Sequence, residues 1–125
     1  MGRGSHKSKY KVARDKAEIF YFKKWRGKEK TAPAFNEIVL ISRAGWEHIV
    51  FQKKRSKAEQ LRRLETLPLA KKLLETSTTY QEERSKGEAQ YFAIVGFVER
   101  KRIKVVVRSK GKNGKKYLYS VIVLR

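Results

Sequence analysis

Cysteine is absent from the chain, which removes disulfides, thiolate-bound zinc and a cysteine nucleophile together. The two histidines are too few for a His-rich metal site. No apolar run is long enough to span a bilayer, and the first residues lack the apolar core of a signal peptide. The expectation is therefore a soluble protein that acts in the cytoplasm or is delivered whole into a target cell. Recognisable catalytic motifs are missing too. There is no Walker-type phosphate loop, no His-x-x-x-His pair, no Gly-x-Ser-x-Gly elbow and no cluster of carboxylates. Metal-dependent hydrolysis is poorly supported, and neither a metal nor a cofactor is expected.

Positive charge is abundant. Lys plus Arg number 32 against 12 Asp plus Glu, a formal net charge of +20 over 125 residues. Such a surplus repels itself and works against compaction. One explanation is an unspecialised solvated surface. The other is a polyanionic partner, whose phosphates Lys and Arg neutralise with release of counterions; nucleic acid is the default candidate. A membrane surface fits less well, because no stretch reads as a basic amphipathic helix with a clean apolar face.

A chain of this length makes one small domain with one modest core. Residues 1–35 read as a basic amino-terminal extension, partly disordered, with His6 inside its Gly/Ser/Lys-rich start. Within it Ala17 to Phe22 suits either a strand or one buried turn of helix. The Lys23, Lys24, Trp25, Arg26, Lys28 cluster that follows can hold phosphates and stack bases, or can lay lysine stems over a small apolar cluster. Residues 36–125 read as the folded unit. Asn36 to Ile41 predicts a short strand, and Ser42 offers an N-cap to a helix in which Trp46, Ile49 and Val50 share a face. Ser56 and Glu59 form a capping box for a second helix. Pro68 predicts a kink or fresh start, with Leu69, Leu73 and Leu74 making the next face.

The last third is the clearest part. Gln90 to Val98 and two later runs are rich in Val, Ile, Tyr and Phe, as strands are. Glu99-Arg100-Lys101-Arg102 is too short for a crossover, and Gly111, Asn113 and Gly114 suit a hairpin loop. With Thr78 to Glu83 as an edge strand, the prediction is α+β: two or three helices packed on a four-stranded antiparallel meander. Strict alternation would put Tyr117, Tyr119, Val121 and Val123 opposite Leu118, Ser120, Ile122 and Leu124. One sheet face is apolar. The other carries Lys104, Arg108 and Ser120, and is either a phosphate groove or ordinary exposed surface.

RNA cleavage needs no metal, since the 2′-hydroxyl can attack its own phosphodiester given a base, an acid and positive charge. His48 is the candidate base. It lies about 200° from Trp46 on the helix, beside the apolar stripe rather than in it. From position alone a helix-surface histidine bonded to a carbonyl is the favoured reading.

Ile41-Ser42, Glu47-His48-Ile49, residues 67–80 and the IKVVVRSKGKNGKKYLYSVI stretch together resemble the barnase–EndoU–colicin–RelE ribonuclease superfold, especially its phage-associated nucleases and colicin-type tRNases. The resemblance runs from about Asn36 to the end and rests on short motifs. It implies a metal-independent endoribonuclease toxin acting on tRNA or another structured RNA, neutralised by an acidic antitoxin or immunity protein. It implies that His48 moves a proton, Arg55 and Arg108 clamp phosphate, and Ser120 bonds a phosphate oxygen. Lys53 and Lys54 support them; Lys104, Lys110, Lys112, Lys115, Tyr91 and Tyr117 complete the RNA surface. Where many relatives carry a second His or Arg after the helix, this chain has Lys-Lys-Arg-Ser, so the second proton-transfer group stays open among Tyr91, Tyr117 and Tyr119. A non-catalytic RNA- or ribosome-binding module and a DNA-binding accessory protein are the alternatives.

Overall fold

The computed structural model describes residues 9–51, 54–111 and 113–124; His6, Lys53 and Lys112 lie outside the described residues. The order is α1 (Lys9–Ile19), continuing as a π-helical segment Phe20–Trp25, then β1 (Thr31–Ala32) and β2 (Glu37–Leu40). Three helices follow, α2 (Arg43–Val50), α3 (Lys57–Glu65) and α4 (Leu67–Thr76), and then β3 (Glu82–Lys86), β4 (Ala89–Val98), β5 (Lys101–Lys110) and β6 (Lys116–Leu124). The class is α+β, as the separated helical and strand patterns imply. The sheet departs from the expectation of four antiparallel strands. Among the described residues it has six, in the order β1-β2-β6-β5-β4-β3, and β2 runs parallel to β6.

The local signals worked where a side chain does the capping. The Ser42 hydroxyl accepts the Gly45 N–H and starts α2. The Ser56 hydroxyl accepts the Glu59 N–H at 3.1 Å and starts α3, while the Glu59 carboxylate turns outward to Arg62 and Arg63. Pro68 sits in the first turn of α4, where its missing N–H costs nothing, so it marks a fresh start. The edge strand begins later than predicted. Glu82–Lys86 pairs with β4 across a turn at Gly87, whose φ is +61°, and so Ser85 and Lys86 belong to the strand.

Residues 9–25 are helical. Ala17, Tyr21 and Trp25 recur every four residues, form one stripe and are buried in the same core as the sheet. Tyr21 and Phe22 meet the Trp46 ring at 5.3 and 5.5 Å. The Tyr21 hydroxyl donates to the Ser42 carbonyl at 2.6 Å, and burial raises its pKa. On the sheet, Phe92, Ile94, Ile103, Val105, Val107, Leu118 and Val121 face this core. Leu64, Leu67, Ala70, Leu73 and Leu74 close it from α3 and α4.

Gly45 explains itself here. It weakens α2 as a helix former, but α2 lies directly on β6. A Cβ at Gly45 would overlap the Leu118 carbonyl oxygen and lie 2.8 Å from the Tyr21 hydroxyl. Backbone cannot yield as a flexible side chain can. Gly45→Ala is therefore expected to lower stability by about 1–3 kcal/mol, read as a lower Tm in thermal denaturation.

Candidate functional site

The sheet face turned away from the core carries the site, and an irregularity in β6 shapes it. Val106 pairs with Ser120 and Val107 with Leu118, so Tyr119 is an extra residue between two partners. Such a bulge bends a strand and re-aims its side chains. Strict alternation therefore fails across it: Leu118 and Val121 both enter the core, and the consecutive Tyr119 and Ser120 both line the outer cleft.

Helix α2 ends beside this bulge. The His48 ring stacks on the Tyr119 ring with centroids 3.8 Å apart, and Tyr91 from β4 meets Tyr119 edge-on at 5.2 Å. The Arg108 guanidinium lies 5.8 Å from the Tyr91 ring and 5.9 Å from the Tyr119 ring. His48, Tyr91, Arg108 and Tyr119, from four elements, thus form one cluster. Two adjoining hollows share it. One, of about 510 Å³, is lined by His48, Arg55, Arg63, Arg84, Lys104 and Ser120 among others. The second, of about 940 Å³, is lined by His48, Lys86, Arg108, Lys110 and Tyr117. Against these cations stand Glu82 in the first and Glu88 in the second.

Each predicted residue can now be placed. Arg55 lines the cleft while one arm of its guanidinium is already used: Nη1 donates to the Ile49 carbonyl and to Gln60 Oε1, both at 2.7 Å. Gln60 in turn donates to the Val50 carbonyl. The pair closes the carbonyl end of α2, where a cation is favoured. Burial, then the nearby Arg63 charge, brings the Arg55 pKa down to about 10. Ser120 is buried, and its hydroxyl accepts from Arg63 Nη1 at 3.2 Å, which leaves its own proton to donate. Lys104 is in the cleft but paired with Glu82 at 2.8 Å. Lys54 and Lys115 are exposed and line neither hollow.

Arg63 was not singled out from the sequence. It reads there as a solvated helix residue, yet it is held by Glu59 at 2.9 Å and reaches Ser120. The available signal was the Ser56, Glu59, Arg63 spacing: a cap at the helix start, then an acid–base pair four apart. Arg84 and Lys86 were missed because the β3 boundary was set too early.

The His48 pKa lies below the usual histidine value. Burial is the main cause; a hydrogen bond to the Tyr119 carbonyl opposes it, and the charges of Arg55, Arg63 and Arg108 add to it. Nδ1 is buried and has no hydrogen-bond partner among the described residues. Tyr119 is shifted up, first by burial and then by Tyr91. At neutral pH the cluster therefore holds a neutral imidazole and a protonated phenol inside a cationic cleft. Among the described residues there is no group of three or more His, Asp or Glu placed to hold a metal ion, and no helix long and apolar enough to cross a membrane.

Comparison with protein-family models, with curated proteins and with solved structures finds no match for this chain.

Proposed function

We propose that the chain is a metal-independent endoribonuclease built like the barnase–EndoU–colicin–RelE superfold, its site lying on the outer sheet face. The observation that supports this most is the shared contact of His48 and Arg108 with Tyr119. A base and a phosphate-binding cation, distant in sequence, meet over one aromatic platform in a cleft rich in positive charge.

The chemistry assigned to these groups is transphosphorylation. Neutral His48 takes the proton of a ribose 2′-hydroxyl at its unprotonated ring nitrogen. The 2′-oxygen bonds to phosphorus, and the bond from phosphorus to the 5′-oxygen breaks. That oxygen leaves with a proton from Tyr119, whose raised pKa keeps it protonated until then. The products are a 2′,3′-cyclic phosphate and a 5′-hydroxyl. Arg108 and the free arm of Arg55 hold the phosphate, and the Ser120 hydroxyl donates to a non-bridging oxygen, stabilising the charge that develops on phosphorus. The bases of a bound strand stack on Tyr91 and Tyr117.

A toxic role on tRNA or another structured RNA, and an acidic antitoxin or immunity protein covering the cleft, belong to the same proposal. The +20 charge favours a fast-associating acidic partner. A second reading, an RNA-binding module without cleavage, is favoured by the tight packing of the His48 ring on Tyr119, since a ring so placed also serves as structure.

Incubation with total tRNA in EDTA, followed by end analysis, separates the two. Cyclic-phosphate ends that persist in EDTA support the nuclease. Intact RNA with a salt-sensitive gel shift supports the binding module. The pH profile is a further check. Because the base works in its neutral form, kcat/KM should fall as pH drops through the free-enzyme pKa of His48. That pKa is lowered, so the acid limb is expected below 6.5; an acid limb above it contradicts the assignment.

A further inference from the structure

The tip of the β4–β5 hairpin is not used by the chemistry above, and three of its features point the same way. Phe97 is 73% exposed, the most exposed large apolar residue among those described. Arg100, Lys101 and Arg102 follow it and enter no ion pair among the described residues. The two-residue turn places both Glu99 and Arg100 at positive φ, +48° and +70°. That turn prefers Asn-Gly. A chain selected only for stability would not keep Glu-Arg there, and strain of this kind gathers at functional positions.

The tip is continuous with the cleft. Phe97 and Tyr91 are an even number of residues apart on β4 and so share the outer face, each opposite an arginine: Tyr91 pairs with Arg108 and Phe97 with Arg102. Six residues of strand separate the two rings by roughly 20 Å. Arg62, Arg100 and Arg102 surround the hollow of about 550 Å³ beside Phe97. Arg62 is paired with Glu59, but an exposed ring beside the unpaired Arg100, Lys101 and Arg102 suits a base and its phosphates better than the apolar surface of a protein.

We propose that Phe97 and the Arg100–Arg102 tip form a distal subsite that stacks a base of single-stranded RNA several nucleotides from the Tyr119 cluster. This rests on the outer face being the RNA-binding face. It makes the preferred target an unpaired strand or loop, because a base locked in a duplex has no face to offer.

The test uses fluorescence anisotropy with two 2′-O-methyl RNA probes, a trinucleotide and an octanucleotide, neither of which can be cleaved. Wild type should bind the octanucleotide more tightly than the trinucleotide. Phe97→Ala should weaken octanucleotide binding roughly 5- to 150-fold and leave the trinucleotide unchanged. Arg100→Gly relieves the turn, so it should melt no lower than wild type yet bind the octanucleotide several-fold more weakly. Octanucleotide affinity unchanged in Phe97→Ala, an equal loss for both probes, or tighter binding of duplex than single-stranded RNA would overturn the proposal. Phe97-dependent binding without cleavage of unmodified RNA removes the nuclease reading and still supports the subsite.

Discussion

Replacing His48 with alanine is expected to lower RNA cleavage by a factor of about 10² to 10⁴ while RNA affinity stays within about twofold, the loss typical of removing a general base. The split follows from the structure. His48 is neutral at physiological pH because burial and the surrounding arginines hold its pKa down, so it adds little to phosphate attraction. Because its ring packs on Tyr119, alanine also removes contacts. His48→Gln restores much of that volume and is the necessary companion. Both variants should be equally inactive, with single-turnover cleavage as the readout and circular dichroism confirming the fold. An active His48→Gln enzyme would reduce His48 to a packing residue and require another group as the base.

The second large effect is that of salt. Of the cations lining the two hollows, Lys104 is paired with Glu82 and Arg63 with Glu59. Arg55, Arg84, Lys86, Arg108 and Lys110 remain for phosphate. Five phosphate contacts on a single strand give a log–log salt slope of about −3.5, or roughly a hundredfold weaker binding between 50 and 200 mM salt. Lys86→Ala should flatten that slope by about 0.7 without altering base preference. Binding insensitive to salt would mean that the net charge serves something other than RNA.

Most of the fold was legible because its signals are local. The meander shows in unbroken β-branched and aromatic runs, and two helix starts show in Ser42 and Ser56, whose hydroxyls cap them. What was hidden depends on distance. The parallel pairing of Val39 and Leu40 with Lys116 and Tyr117 joins segments far apart, and two residue pairs leave no pattern in either. The amino-terminal helix was obscured for another reason. Ala17, Tyr21 and Trp25 carry a helical period, but the apolar run Ile19 to Phe22 over it imitates a strand.

Within the site, His48 and Arg108 were readable as residue types, and the β6 bulge was not. A bulge is decided by the register of two strands, so the sequence of β6 alone cannot reveal that Tyr119 is supernumerary and shares a face with Ser120. For the same reason Tyr119 was only one of three candidate tyrosines, although it is the residue that His48, Tyr91 and Arg108 all touch. Arg55 illustrates the opposite case: it was named from the sequence as a phosphate clamp, and its hold on the end of α2 became visible only with the helix in place.

The most direct test is an NMR titration of the His48 imidazole with and without a 3′-nucleotide monophosphate, in wild type and in Arg108→Ala. A phosphate held between the two residues should raise the depressed His48 pKa in wild type, because a nearby anion favours imidazolium, and Arg108→Ala should abolish most of that rise. A His48 pKa that the nucleotide leaves unmoved in wild type, at concentrations where it is bound, would show that the imidazole and the phosphate never meet.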